Sequence, residues 1–146
     1  MTSLIRKATT LIAHRLLPLL DKISFLPVLG MRLWIADVFW KSGLNKLNDW
    51  EGTVALFADE YQVPLISPEL AAYSGTAVEL IAPVLVALGL GARFGALALL
   101  FMTAVIEFTY LSFPIHLVWA LMLTLILTQG AGKLSVDYLI RKKFGN

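Results

Sequence analysis

Cysteine is absent from the 146 residues, which excludes disulfides, thiolate metal sites, iron–sulfur clusters and thiol redox chemistry of the chain's own. Charge is scarce as well: Asp, Glu, Lys and Arg together make 15% of the chain, against about 25% in an ordinary soluble domain. No phosphate loop, dinucleotide glycine fingerprint or metalloprotease motif occurs, and the basic ends lack interleaved aromatics, so nucleotide and nucleic-acid partners are not expected. Histidine occurs only as His14 and His116. The topology derived below puts them on opposite sides of a membrane, which removes bis-histidine haem. No covalent cofactor and no metal site are expected.

What the chain has instead is apolar surface, 58% hydrophobic residues against roughly 45–50% in soluble domains. Four stretches approach the roughly 20 residues needed to cross a bilayer core of about 30 Å. They lie at 26–47, 69–90, 93–111 and 114–129. Gly89-Leu90-Gly91-Ala92-Arg93 and Leu111-Ser112-Phe113-Pro114 supply the glycine and proline that turn one span into the next. The expectation is an all-α, integral membrane four-helix bundle over 25–146, preceded by a cytoplasmic amphipathic segment over 1–24.

Lysine and arginine set the orientation, because short cytoplasmic flanks are enriched in them. Arg6, Lys7, Arg15 and Lys22, then Arg93, then Lys133, Arg141, Lys142 and Lys143 all fall on one side of a four-span chain. The other side holds the 48–68 loop with Asp49, Glu51, Asp59 and Glu60 and no basic residue. Both termini are therefore expected in the cytoplasm, with the protein a multi-pass component of a bacterial inner membrane.

The first 22 residues space Leu4, Ala8, Leu11, Ile12, Leu16 and Leu19 by threes and fours, with basic residues elsewhere around the wheel. That pattern fits an interfacial helix on an anionic leaflet, and charges in the following span argue against a cleaved signal peptide. In the acidic loop, Trp50, Val54, Phe57 and Tyr61 repeat at helical spacing behind Asn48 and Asp49, good N-cap types, and Pro64 and Pro68 end the repeat. A short helix with an aromatic packing face is expected there.

A charge inside a span costs roughly 2.5–3.5 kcal/mol on insertion scales, so each needs a partner or a wet cavity. Arg32, Asp37, Lys41 and Lys46 form a candidate charge network on the first span: Asp37 and Lys41, four apart, share a face and pair, while Arg32 can snorkel to the cytoplasmic interface. Counting about 1.5 Å per residue from the acidic side, Glu79 lies on the order of 13 Å deep, Asp37 about 15 Å and Lys41 about 9 Å. These three are expected at one level, below Glu107 and His116, which a tight turn brings together. Spans two and three offer no basic residue between Glu79 and Arg93. A carboxylate without a full partner suits proton exchange, which makes Glu79, Glu107 and His116 the ligand or proton-handling candidates. The small residues Ala71, Ala72, Ser74, Gly75, Ala77, Gly91, Gly95, Ala96 and Ala98 are assigned to close helix packing.

Several of these motifs fall in an order that resembles the DoxX family. They are Arg32, Phe39-Trp40-Lys41-Ser42-Gly43-Leu44-Asn45-Lys46-Leu47, Pro64, Glu79-Leu80, Gly89-Leu90-Gly91-Ala92-Arg93 and Gln129-Gly130-Ala131-Gly132-Lys133-Leu134-Ser135-Val136-Asp137. The resemblance runs from about 30 to 140. It implies a four-helix inner-membrane protein related to the DoxD-type subunits of thiosulfate:quinone oxidoreductase, in a family also linked to oxidative-stress complexes. It assigns no catalytic role to Arg32, Gly43, Lys46, Glu79, Gly89 or Arg93. The expected function is an accessory oxidoreductase subunit that binds an amphiphile such as a quinone and handles its protons beside a protein partner or further copies of itself. A proton or small-solute transporter and a non-catalytic membrane scaffold are the alternatives.

Overall fold

A computed structural model of the chain describes residues 2–110 and 112–145. Helices α1 (Thr2–Leu11), α2 (Leu17–Ile23) and α3 (Phe25–Asn48) follow one another almost without a break. A wide π-type turn over Ile12–Leu16 separates α1 from α2. It sits where Pro18 lacks its N–H and its ring crowds the preceding turn. The membrane-facing body consists of α3, α5 (Pro68–Leu88), α6 (Ala92–Thr109) and α7 (Pro114–Gln129), with α4 (Trp50–Leu56) and a second wide turn, Phe57–Tyr61, between the first two. A terminal helix, α8 (Val136–Phe144), completes the described chain.

Among the described residues, three helical runs are long and apolar enough to cross a bilayer: Ile5–Asn48, Pro68–Leu88 and Ala92–Thr109. The 16 residues of α7 rise only about 24 Å, short of a core of about 30 Å. Even so, α7 runs the length of the bundle, because the residues just after it meet Arg32 near the start of α3. Phe94, Phe101 and Phe108 stand exposed along α6, as lipid-facing side chains do. The protein is an all-α helical bundle of the membrane.

Side-chain caps start α4, α5 and α8. Asp49 accepts from the Gly52 amide at 3.0 Å and starts α4, Ser67 accepts from the Leu70 amide ahead of Pro68, and Ser135 caps α8 through the Tyr138 amide. The expected aromatic helix of the acidic loop forms and packs. Phe57 and Tyr61 join Ala71 and Ala72 in a buried cluster with Trp50 and Val54 against it, and Trp50 meets Tyr73 at 4.4 Å. The main core lies between α3, α5, α6 and α7, around Ile35, Phe39, Val86, Leu99, Leu123 and Ile126. Its helices approach at small residues: a Cβ on Gly95 would sit 3.0 Å from the Ala82 carbonyl, and one on Gly43 2.9 Å from Leu80.

Arg32 does not snorkel. It is 1% exposed, and its guanidinium donates to the carbonyls of Val86 at 2.8 Å, Ala87 at 2.6 Å, and Ala131 and Leu134 at 2.7 Å each. Two of these carbonyls belong to the last turn of α5, where helical donors run out and the dipole is negative. Asp137 works the opposite sign: its carboxylate accepts from the amides of Gly91 and Ala92 at the start of α6, while its own amide donates to Gly89. Gly89 has a left-handed φ of 68°, and a Cβ there would fall 2.4 Å from Ser135. The resemblance motifs around Arg32, Gly89 to Arg93 and Gly130 to Asp137 thus meet in one lock at one end of the bundle.

The apolar side chains of Ile5, Leu11, Ile12, Leu16 and Leu19 are exposed. The N-terminal segment is helical, as expected, and α2 leads into α3 through a single turn at Ser24. The side chain of Leu4 and the whole of Leu111, both used in the sequence expectations, lie outside the described residues.

Candidate functional site

The site begins with Gly43. Lacking a side chain, it lets α3 approach α5 so closely that a Cβ would be 3.2 Å from the Glu79 carbonyl carbon. This contact sets the stagger of the two helices. Gly43 is five residues from the end of α3 at Asn48, and Glu79 is eleven from the start of α5 at Pro68, so α5 extends further toward the acidic side by about 9 Å. Counting depth from loop ends misses this offset. Asp37, Lys41 and Glu79 do not share a level: Gly43 is level with Glu79, Lys41 lies about 3 Å and Asp37 about 9 Å further toward the basic end.

The stagger brings Lys46 onto Glu79. Its ammonium donates to the two carboxylate oxygens at 2.9 and 2.7 Å and to Ser42 Oγ at 3.0 Å, which uses all three of its N–H groups. Side-chain exposure is 11% for Lys46 and 1% for Glu79. Glu79 is therefore a fully paired carboxylate, contrary to the expectation drawn from spans two and three alone. Pro83, one turn on, lacks the N–H that would serve the Glu79 carbonyl, so backbone polarity collects at the same place.

Glu107 and His116 meet across the turn between α6 and α7. His116 Nδ1 donates to Glu107 Oε2 at 2.7 Å, and the carboxylate also accepts from Ser112 Oγ and the Phe113 amide. A carboxylate on Nδ1 fixes the imidazole tautomer and orientation, and leaves Nε2 for another partner. His116 is buried and wedged between aromatic rings, with Phe113 edge-on at 5.7 Å and Trp119 at 4.9 Å.

One member of each pair lines a cavity of about 180 Å³, with Glu79 and Ser42 on one wall and His116, Trp119 and Phe113 on the other. Phe39 meets Trp119 edge to face at 5.4 Å, and Tyr61, stacked between Phe57 at 4.7 Å and Tyr110 at 4.8 Å, completes the lining toward the acidic end. The Trp119 Nε1 donor is buried with no partner among the described residues. Burial, then the charge on Glu79 and the neighbouring Tyr110 and Glu60, push the Tyr61 phenol up to about 12. Phe113, His116 and Glu107 also line a second hollow of about 490 Å³ between the outer surfaces of α6 and α7. His116 thus stands between the inner cavity and a lateral cleft.

Of the sequence candidates, Glu79 and His116 face one cavity and Glu107 stands behind His116. Lys46 stands behind Glu79 in the same way. Asp37 and Lys41 do pair, at 2.7 Å, but on the outer surface of α3, with side chains 55% and 68% exposed. Arg32 belongs to the lock at the basic end. Sequence reasoning missed Ser42, Tyr61 and Trp119 as cavity residues. Ser42 sits one turn before Lys46, a spacing that could have flagged it.

The architecture defines a class: a small polytopic bundle of the membrane whose spans enclose an aromatic cavity lined by Glu79 and His116. The DoxX family profile matches residues 28–112, and the chain belongs to the DoxX family. An uncharacterized protein of Haemophilus influenzae is 31% identical over 133 residues, which cover 83% of this chain and 87% of the relative. The Gly130 to Asp137 motif lies beyond the profile match. No solved structure matches the chain significantly.

Proposed function

We propose that this protein is a small subunit of a quinone-linked or oxidative-stress redox complex in the bacterial inner membrane, with both termini cytoplasmic. The observation that carries the proposal is the cavity lined by Glu79 on one side and His116 on the other, each held from behind by its partner, Lys46 or Glu107. Its volume, about 180 Å³, falls below the roughly 300–1,000 Å³ of pockets for drug-sized ligands, and suits one ring with its tail elsewhere. The lateral cleft past Phe113 and His116 gives an apolar tail its way out to the lipid.

The chain's own part is binding and proton handling. His116 Nε2 and the unpartnered Trp119 Nε1 offer polar contacts on one wall, and the Glu79 carboxylate, held by Lys46, offers an acceptor on the other. Glu107, partly exposed, is the group that exchanges a proton with the acidic side through His116. A bound quinone supplies the two-electron chemistry, and a partner subunit supplies the electrons. Orientation rests on charge: the basic residues gather at the Arg32 end and the acidic loop lies at the other. Because Lys46 neutralises Glu79, a free buried carboxylate no longer speaks for transport.

The test is purification in mild detergent, lipid extraction and mass spectrometry of wild type, Glu79→Gln and His116→Leu. Wild type is expected to retain quinone at close to one per chain, and both variants to lose it. A wild-type bundle without quinone overturns the proposal.

A further inference from the structure

The Asp37–Lys41 pair occupies the wrong surface for a bundle in lipid. Both side chains are more than half exposed, on a stripe of α3 that also carries Leu33 and Leu44. Through the Gly43 contact, Lys41 lies about 3 Å from the level of Glu79, itself near the middle of α5. A lysine and an aspartate facing hydrocarbon at that depth are costly, and charges within spans almost always face protein or a wet cavity. Pairing with each other cancels the net charge but leaves the remaining hydrogen-bonding capacity of both groups facing lipid. Beside them runs a groove of about 200 Å³ between α3 and α5, edged by Leu33, Trp40, Pro83 and Val84.

We infer that this face of α3 and α5 is the interface with a second copy of the chain, arranged side by side about a two-fold axis along the membrane normal. The charges favour that occupant because they are complementary to themselves. In such a pair each Asp37 lies at the depth of its mate, one turn from the mate's Lys41, so two carboxylates and two ammoniums close an alternating ring. A symmetric contact needs one patch on both subunits, and Asp37 with Lys41 supplies both signs. The inference stands apart from the quinone proposal, since the two sites lie on different faces of α3.

The absence of cysteine makes the test clean. Single substitutions Leu44→Cys, on the stripe, and Phe101→Cys, on the exposed far surface of α6, are oxidised in native membranes. Leu44→Cys is expected to yield a product of twice the chain mass and Phe101→Cys none. In the Leu44→Cys background, Lys41→Asp places only acid on the stripe and is expected to weaken association about tenfold or more. The swap Asp37→Lys with Lys41→Asp restores alternating charge and is expected to restore the product. Helicity and elution volume in detergent confirm that each variant folds. Equal cross-linking at both positions, a product of another mass, or a folded swap that does not recover would overturn the inference.

Discussion

Removing Lys46 tests the site at its most buried charge. Lys46→Met deletes the ammonium that donates to both oxygens of a carboxylate that is 1% exposed, and breaking one side of a buried pair costs about 3–5 kcal/mol. Glu79→Leu strands the ammonium in the same place at a similar cost. The double variant leaves two apolar side chains in contact, and such replacements are often near neutral, so its loss is expected to stay within about 2 kcal/mol of wild type. The double loss then falls short of the summed single losses by about 3 kcal/mol or more. Reversible unfolding by SDS in mixed micelles measures all four corners of the cycle. Single losses that add to within about 0.5 kcal/mol would refute the pairing. Quinone retention separates function from stability, because the double variant recovers the fold but not the polar wall of the cavity.

Three further outcomes follow from the geometry. Gly89→Ala combines a left-handed φ with a Cβ 2.4 Å from Ser135 and should destabilise by about 2–4 kcal/mol, while Gly91→Ala, with φ 56° but its nearest neighbour at 3.8 Å, should cost only about 1–2 kcal/mol in the same unfolding assay. Arg32→Lys keeps the charge but offers three donors to four carbonyls on two separate segments, and a loss of at least about 2 kcal/mol is expected, against little change if the charge alone mattered. Tyr61, raised to about 12 in the folded state, binds its proton more tightly there than in the unfolded chain. Its contribution is therefore complete below pH 10 and lost as pH rises toward 12; alkaline melting curves should show that fall in wild type and lose part of it in Tyr61→Phe.

The spans were legible because a bilayer demands long apolar runs. The turns were legible because glycine readily takes the left-handed φ found at Gly89 and Gly91 and proline suits the first position of a helix, as Pro114 does in α7. The Glu107–His116 contact followed from its short connection. The partner of Glu79 was not legible: Lys46 is 33 residues away on another helix, and the offset of α3 against α5 depends on the close approach at Gly43, which no periodicity reveals. Arg32 was misplaced for a similar reason. Snorkelling is the usual escape for an arginine near a span end, and only the fold shows the carbonyls that hold it inside. Asp37 and Lys41 paired by local spacing, but which way their helix face points is a property of the whole bundle.

The Arg32 lock also bears on how the protein is made. The arginine enters the bilayer in the first span, yet two of its four acceptors, Ala131 and Leu134, come 99 and 102 residues later. At about 5–20 residues per second, ribosomes take roughly 5–20 s to supply them. Val86 and Ala87 arrive earlier, so until the end of that interval the guanidinium still lacks two of its four carbonyls. A chain cut short before Ala131 would leave that charge half satisfied inside a span, so the bundle is closed electrostatically only by the residues that follow its last span.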